Sequence, residues 1–314
     1  MESAHEGWQR IAWQGVSVLI PSEWHVAKLR ISRNDGYMRA DDDEMMRFEL
    51  EWVVMAAGQA INLKEQAQAY FSRMAKEFKK RGMEFTHSVD TKLIGRHQVR
   101  GRDVLTFSWV GDYVGEGMLW WCDKCGKLLK AQVIGSRGER MKELAKRIFV
   151  SISDHSSGDW DDWELFGLNF KVPSYMTLRE HKVEAGFVRL LFKHGDEVSF
   201  EVTRWSAANI LLKGMTLEKW AAQVLREHLR KFDIVYRRGK FNGHDCVELD
   251  GKARSPLGTL QLVIRQITKR GPMPKLSGLL WECSETNRLL MSLLIAPPHM
   301  MGELAASITS LKCH

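Results

Sequence analysis

The sequence predicts an α+β chain made of two tandem copies of one domain, each an antiparallel sheet covered by helices in the order β-β-β-α, β-meander, α. Three observations carry this. Residues Gly117–Leu129 (GMLWWCDKCGKLL) lie over Gly278–Leu290 (GLLWECSETNRLL) without a gap, so that glycine, tryptophan, cysteine, a basic residue and paired leucines coincide. Shorter matches keep the same order through both halves, as a repeated structural unit requires. The length, 314 residues, suits two domains of about 150.

Each element has its own signal. Val18–Ser22 matches Asn169–Ser174 around a shared Pro-Ser, and Gly36–Arg39 matches Gly186–Arg189. Phe48-Glu49 matches Phe200-Glu201, and Gly95-Arg96-His97 resembles Asn242-Gly243-His244. Near the ends, Met141–Ala145 matches Met301–Ala305, with Ile148 falling on Ile308. The copies thus run over 8–152 and 163–312, giving domains 1–152 and 163–314. Residues 153–162 are expected as a linker, because Ser153–Asp159 is small and polar.

The first copy opens with strands near Val16–Ile20, Gly36–Ala40 and Arg47–Val54; alternation of Phe48, Leu50 and Trp52 with Glu49 and Glu51 gives one buried and one wet face. Asn62-Leu63-Lys64-Glu65 reads as a capping box. Leu63, Ala67, Tyr70, Phe71, Met74 and Phe78 then recur at helical spacing, and Lys79, Lys80, Arg81 and Gly82 end the helix. In the second copy Thr216 caps a stripe of Leu217, Trp220, Val224, Leu225, Leu229 and Phe232. The matched segments read as strand, turn, strand, with Gly126 facing Asn287 at a position suited to positive φ. Closing helices are expected near Arg137–Val150 and His299–Leu311, the latter started by Pro297-Pro298. This order, with its early Pro-Ser turn, resembles the PsbP-like fold, an α/β/α sandwich also seen in a small Ran-binding protein. The resemblance implies an adaptor or assembly role and carries no catalytic residue over.

Composition sets the class. Apolar residues make up 44% and charged residues 27%, as in a globular protein. No apolar run approaches the ~20 residues that span a bilayer. The polar start, Met1–Arg10, leads straight into a strand-like segment, and five cysteines at irregular spacing do not form a disulfide framework, so a cytoplasmic location is expected. A net charge of +7 permits an anionic partner without requiring one.

The sharpest local feature is Cys122-Asp123-Lys124-Cys125-Gly126, a knuckle whose tight turn points two sulfurs at one metal, zinc by donor type. Four ligands are wanted, so Cys246, Cys283, Cys313 or a histidine would complete it from afar. The second copy keeps Cys283 but has Thr286 where Cys125 stands, which favours a plain hairpin with cysteines as small core residues and no cofactor. Trp121-Cys122-x-x-Cys125 also resembles a thioredoxin-type pair, but a hairpin lacks the helix dipole that activates such a thiol. His97 and His244 recur at matching turns without a recurring nucleophile or acid, and Asp41–Glu44 reads as a solvated hairpin tip.

Candidate partner-binding residues are basic. Arg237, Arg238 and Lys240 belong with Arg226, Arg230 and Lys231 to a cluster expected at the end of the second copy's long helix. Lys269, Arg270 and Lys275 lie in a loop with no counterpart in the first copy. Trp8, Trp13 and Trp24 are expected mostly in the core. With no nucleophile beside a base, no phosphate loop and no spaced carboxylate pair, the leading reading is a non-enzymatic protein-binding or assembly protein. A nucleic-acid or ribosome-associated role comes next, on the basic clusters. A zinc- or thiol-dependent protein centred on Cys122 and Cys125 is third.

Overall fold

The computed structural model describes residues 6–32, 34–56, 58–59, 61–99, 102–254 and 272–313, apart from the side chains of Arg96 and His97. The chain divides into two compact units, Met1–Ser157 and Gly158–His314. Among the described residues no helix is long and apolar enough to cross a membrane.

The first unit starts with a hairpin of β1 (Trp8–Trp13) and β2 (Val16–Pro21). A seven-stranded antiparallel sheet follows, built from β3 (His25–Ile31), β4 (Asp35–Asp41), β5 (Met46–Val54), β6 (Thr86–Val89), β7 (Val104–Val110), β8 (Tyr113–Trp121) and β9 (Lys127–Ser136). Its spatial order is β3-β4-β5-β9-β8-β7-β6. Helix α1 (Leu63–Lys80) joins β5 to β6, and α2 (Lys142–Ser151) closes the unit. The Asn62 side chain caps α1 by accepting from the Lys64 and Glu65 amides, as the capping box predicts.

Alternation along β8 divides the core. Leu119 joins Leu105, Phe107 and Trp109 on the face that receives Ala67 and Phe71 of α1. The neighbouring Met118 and Trp120 are fully buried on the other face, where α2 packs on β2, β8 and β9. Phe71 meets Phe107 edge-on at 5.2 Å and stacks on His87 at 4.2 Å.

The second unit repeats the plan. Its hairpin is β10 (Trp160–Leu165) and β11 (Leu168–Pro173). The sheet comprises β12 (Thr177–Glu184), β13 (Phe187–His194), β14 (Val198–Ser206), β15 (Phe232–Phe241), β16 (His244–Ala253), β17 (Lys275–Cys283) and β18 (Arg288–Ala296). Its order, β12-β13-β14-β18-β17-β16-β15, is that of the first sheet. Among the described residues its helices are α3 (Ala208–Leu211), α4 (Leu217–Val224) and α5 (Met301–Thr309).

The matched hairpins hold the same topological place. Trp120 pairs with Leu129 and Trp281 with Leu290. Gly126 and Asn287 both adopt positive φ, at 66° and 51°. The closing segments are tied down alike: the Leu19 amide donates to Ser151 Oγ at 2.9 Å, and the Lys171 amide to Ser310 Oγ at 2.9 Å. One residue pair further, Ser17 bridges Ser153 and Asn169 bridges Lys312.

These contacts correct several sequence matches. Equivalence of Ser151 with Ser310 puts Met141 over Met300 and Phe149 over Ile308, one residue from the expected alignment. Sheet register places Met38 over Leu190 rather than Val188, since Met38 pairs with Leu50 and Leu190 with Val202. A slip of two residues keeps every side chain on its face, so the apolar pattern cannot detect it. The expected long helix of the second unit ends at Val224; turns carry the chain to Phe232, which opens β15. Leu225 and Leu229 stay buried, and their amides still donate four residues back, to Ala221 O and Leu225 O, so the turns keep part of the helical pattern. Within the stretch expected as linker, Ser153 is bridged, Asp154 is buried and Trp160 begins a strand.

In the second sheet Glu201 is buried between Arg189 Nη2 at 2.8 Å and His228 Nε2 at 3.1 Å. Burial pushes its carboxyl up, but hydrogen bonds from His228 and Arg189 and their charges outweigh it and hold the pKa below the ordinary value. A depressed native pKa contributes stability that is present above the unfolded value and lost as pH falls through the native one.

Two predictions follow from this packing. Phe71→Ala should cost ~3–5 kcal/mol in denaturant unfolding, while Val224→Ala, at a half-exposed position, should cost under about 0.5 kcal/mol. Glu201→Gln should weaken the fall in stability on acidification below about pH 4.3, the ordinary glutamate value; identical pH profiles for both proteins would show that the buried pair contributes nothing.

Candidate metal centre

The β8–β9 turn presents Cys122 and Cys125 to the segment that leaves α2. Cys122 is 5% exposed and Cys125 half-buried. The turn is closed by the Gly126 amide donating to Cys122 O at 2.9 Å, which needs the positive φ of Gly126. The Ser17–Ser153 bridge then directs Asp154 and His155 against the thiols. One donor atom from each of Cys122, Cys125, Asp154 and His155 lies within 4.8 Å of all the others.

The spacing fits a metal. Zinc–sulfur and zinc–nitrogen bonds of about 2.3 and 2.0–2.1 Å set a tetrahedral S···N edge near 3.6 Å. Cys122 Sγ stands 3.4 Å from His155 Nδ1. Asp154 is fully buried, and its two oxygens differ. Oδ2 accepts from Trp120 Nε1 at 3.0 Å and faces Arg102 Nε at 3.2 Å. Oδ1 lies 2.6 Å from His155 Nδ1 but has no hydrogen bond of adequate geometry. A tetrahedral zinc would hold this oxygen and nitrogen about 3.3 Å apart, so the Asp154–His155 contact would open by about 0.7 Å to admit the ion, whereas the sulfur–nitrogen edge already fits. A buried carboxylate oxygen without a directed partner, beside two sulfurs and an imidazole, is the donor that a metal would use.

Cations surround the cluster. The buried Lys127 ammonium donates to Gln14 O at 2.9 Å and Asp154 O at 3.1 Å. Burial, and then the neighbouring Cys122 thiol, push the Cys125 thiol up to about 12, against the pull of Lys127. Such a thiol is no nucleophile, in keeping with a hairpin that lacks a helix terminus. The Cys-x-x-Cys pair was legible in the sequence; Asp154 and His155 were not, because they sit in a polar stretch that reads as linker.

The other expected residues are scattered. Arg237, Arg238 and Lys240 lie on β15 and not at a helix end, since the turns after α4 intervene. Each faces a carboxylate: Arg237 pairs with Asp250 at 3.9 Å, Arg238 with Glu218, and Lys240 with Asp245 at 2.7 Å. Arg226 and Arg230 instead line a separate hollow with Tyr236 and Arg254. Lys275 opens β17, while Lys269 and Arg270 fall outside the described residues. His97 lies in a short 3-10 turn, and His244 follows a turn at Asn242-Gly243. Asp41 and Asp42 pair with Arg39 and Arg47, which offsets two of the four acids of that hairpin tip. Trp13 and Trp24 are core residues, and the Trp8 ring carries Arg147 at 3.9 Å.

Between α1 and the sheet of the first unit runs a groove of two adjoining hollows, about 320 and 470 Å³, that share Glu51, Tyr70, Arg73 and Lys130. Lys130 Nζ sits 3.9 Å from the Tyr70 ring centre and 2.6 Å from Glu51. The walls thus carry both signs of charge around an aromatic ring.

No protein-family model matches the chain, and no curated protein is recognisably similar to it in sequence. Among solved structures it is similar to the cyanobacterial PsbP protein CyanoP of Synechocystis, 12% identical with a TM-score of 0.34, over 49% of this chain and 95% of that one. It is similar also to the T6SS immunity protein TplEi of Pseudomonas aeruginosa complexed with "L" peptide, 10% identical with a TM-score of 0.34, over 98% of each chain. The apo form of TplEi gives the same identity and score over 98% and 97%. At these scores no residue role passes from those proteins to this chain.

Because carboxylates already face them, replacing Arg237, Arg238 and Lys240 together with alanine should leave retention of RNA and duplex DNA on filters unchanged. A clear loss of retention and a flatter salt dependence would put phosphate contacts on β15.

Proposed function

We propose that the chain is a non-enzymatic protein-binding protein of the assembly type, whose first unit is clasped by a structural zinc ion at Cys122, Cys125, Asp154 and His155. The observation that carries this reading is the closed donor set. Four protein donors fill a tetrahedral shell, and a filled shell is the mark of structural rather than catalytic zinc. Two thiolates with an imidazole favour zinc over the hard cations, which prefer oxygen. Two thiolates and a carboxylate exceed the charge of the ion by one, and Lys127 and Arg102 stand beside them to offset it. A zinc-thiolate clasp also suits a reducing compartment such as the cytoplasm.

The binding part of the reading is supported by the groove beside α1. Mixed charges around Tyr70 complement a polypeptide, with its own mixed charges and carbonyls, better than a polyanion. The pairing of Arg237, Arg238 and Lys240 with acids weighs the same way.

In the full-length chain, Cys125→Ser or His155→Ala should each remove one equivalent of zinc, read by metal analysis. Each should also lower the melting temperature by roughly 5–10 °C, a few kcal/mol for a domain of this size. Zinc content unchanged in both variants would remove the clasp. Partner capture that survives nuclease and weakens in Arg73→Glu would support the groove; capture abolished by nuclease would turn the reading to nucleic acid.

A further inference from the structure

The duplication places a second cluster where the first one stands. Ser151 and Ser310 make the same hydrogen bond, and Ser153 and Lys312 the same bridge, so Asp154 and Cys313 are equivalent residues. On the hairpin side Cys122 and Cys283 are equivalent, each two residues beyond the paired tryptophan. The contact between hairpin and closing segment therefore exists in both units, with a thiol replacing the carboxylate in the second.

Cys283 and Cys313 are buried, at 0% and 8% exposure, and neither forms a disulfide. The third member comes from β16: His244 Nε2 stands 3.3 Å from Cys313 Sγ, close to a tetrahedral S···N edge of about 3.6 Å. His244 Nε2, Cys283 Sγ and Cys313 Sγ all lie within 4.8 Å of one another. The indole nitrogen of Trp281 is buried without a hydrogen-bond partner, whereas that of Trp120 donates to Asp154. Thr286, in the turn position of Cys125, has a buried hydroxyl oxygen without a hydrogen-bond partner. In sequence His314 follows Cys313 as His155 follows Asp154, but it lies outside the described residues.

We propose that the second unit carries its own metal centre, in which Cys283, Cys313 and His244 hold a zinc-class ion. Two thiolates and an imidazole neutralise the ion without the surplus negative charge of the first site. The inference uses the same chemistry as the zinc clasp of the first unit but rests on different residues, so each stands or falls alone.

The test is metal counting on the full-length chain with unit-specific variants. Wild-type protein should bind two zinc ions, and Cys313→Ser and His244→Ala should each bind one. His244 lies beside a turn, so His244→Ala covers the case in which Cys313→Ser fails to fold. Reconstitution with cobalt(II) should give thiolate-to-metal charge-transfer absorbance, of which either Cys125→Ser or Cys313→Ser removes a part and the double variant far more. Unchanged metal content in both folded second-unit variants would overturn this inference. So would a mass two hydrogens low, locating a disulfide between Cys283 and Cys313. If instead only the second-unit variants lose metal, this inference stands and the first-unit clasp fails.

Discussion

The fully buried carboxylate of Asp154 is the contact on which the first unit's closure depends. Its Oδ2 joins the Trp120 indole and Arg102, its backbone carbonyl accepts from Lys127, and its Oδ1 faces the thiols. A buried charge is costly unless every lone pair is engaged, so the segment after α2 docks in one register or not at all. That register fixes His155, and His155 completes the donor set. Removing one partner of such a group leaves an uncompensated charge, a change worth roughly 3–5 kcal/mol. The hairpin, the helix and the metal donors are thus parts of a single fastening.

How much of this the sequence reveals depends on the range of the signal. Local signals hold: the capping box at Asn62, the positive-φ turn at Gly126 and Asn287, and the strands of the matched hairpin appear as the residues imply. Strand β3 leaves no readable trace, because its edge position keeps it mostly exposed and it has no apolar alternation. The two-residue displacement between Met38 and Leu190 is silent, since a strand shifted by two buries the same face. The site is half legible for a similar reason. Cys122 and Cys125 announce themselves by spacing, whereas Asp154 and His155 become donors only through a bridge to Ser17, far away in the chain.

The same distinction explains why charge counting misleads. A net charge of +7 spread over this chain looks like an invitation to a polyanion. On β15, cross-strand and neighbouring acids take up the positive charge of Arg237, Arg238 and Lys240, and those acids are remote or unremarkable in the sequence. What governs recognition is the field left over after such pairing, not the inventory of lysines and arginines.

The position of β15 gives those same residues another meaning. Among the described residues it stands last in its sheet, and it runs for ten residues, whereas β6, in the corresponding place, has four. A long terminal strand presents a row of backbone amides and carbonyls that can template a foreign strand. Consecutive arginines followed by a lysine, each of them more than half exposed and each facing an acid, line that border with charged, hydrated side chains. A strand docking there would have to strip water from those ion pairs, so the border that offers free backbone groups also makes their capture costly.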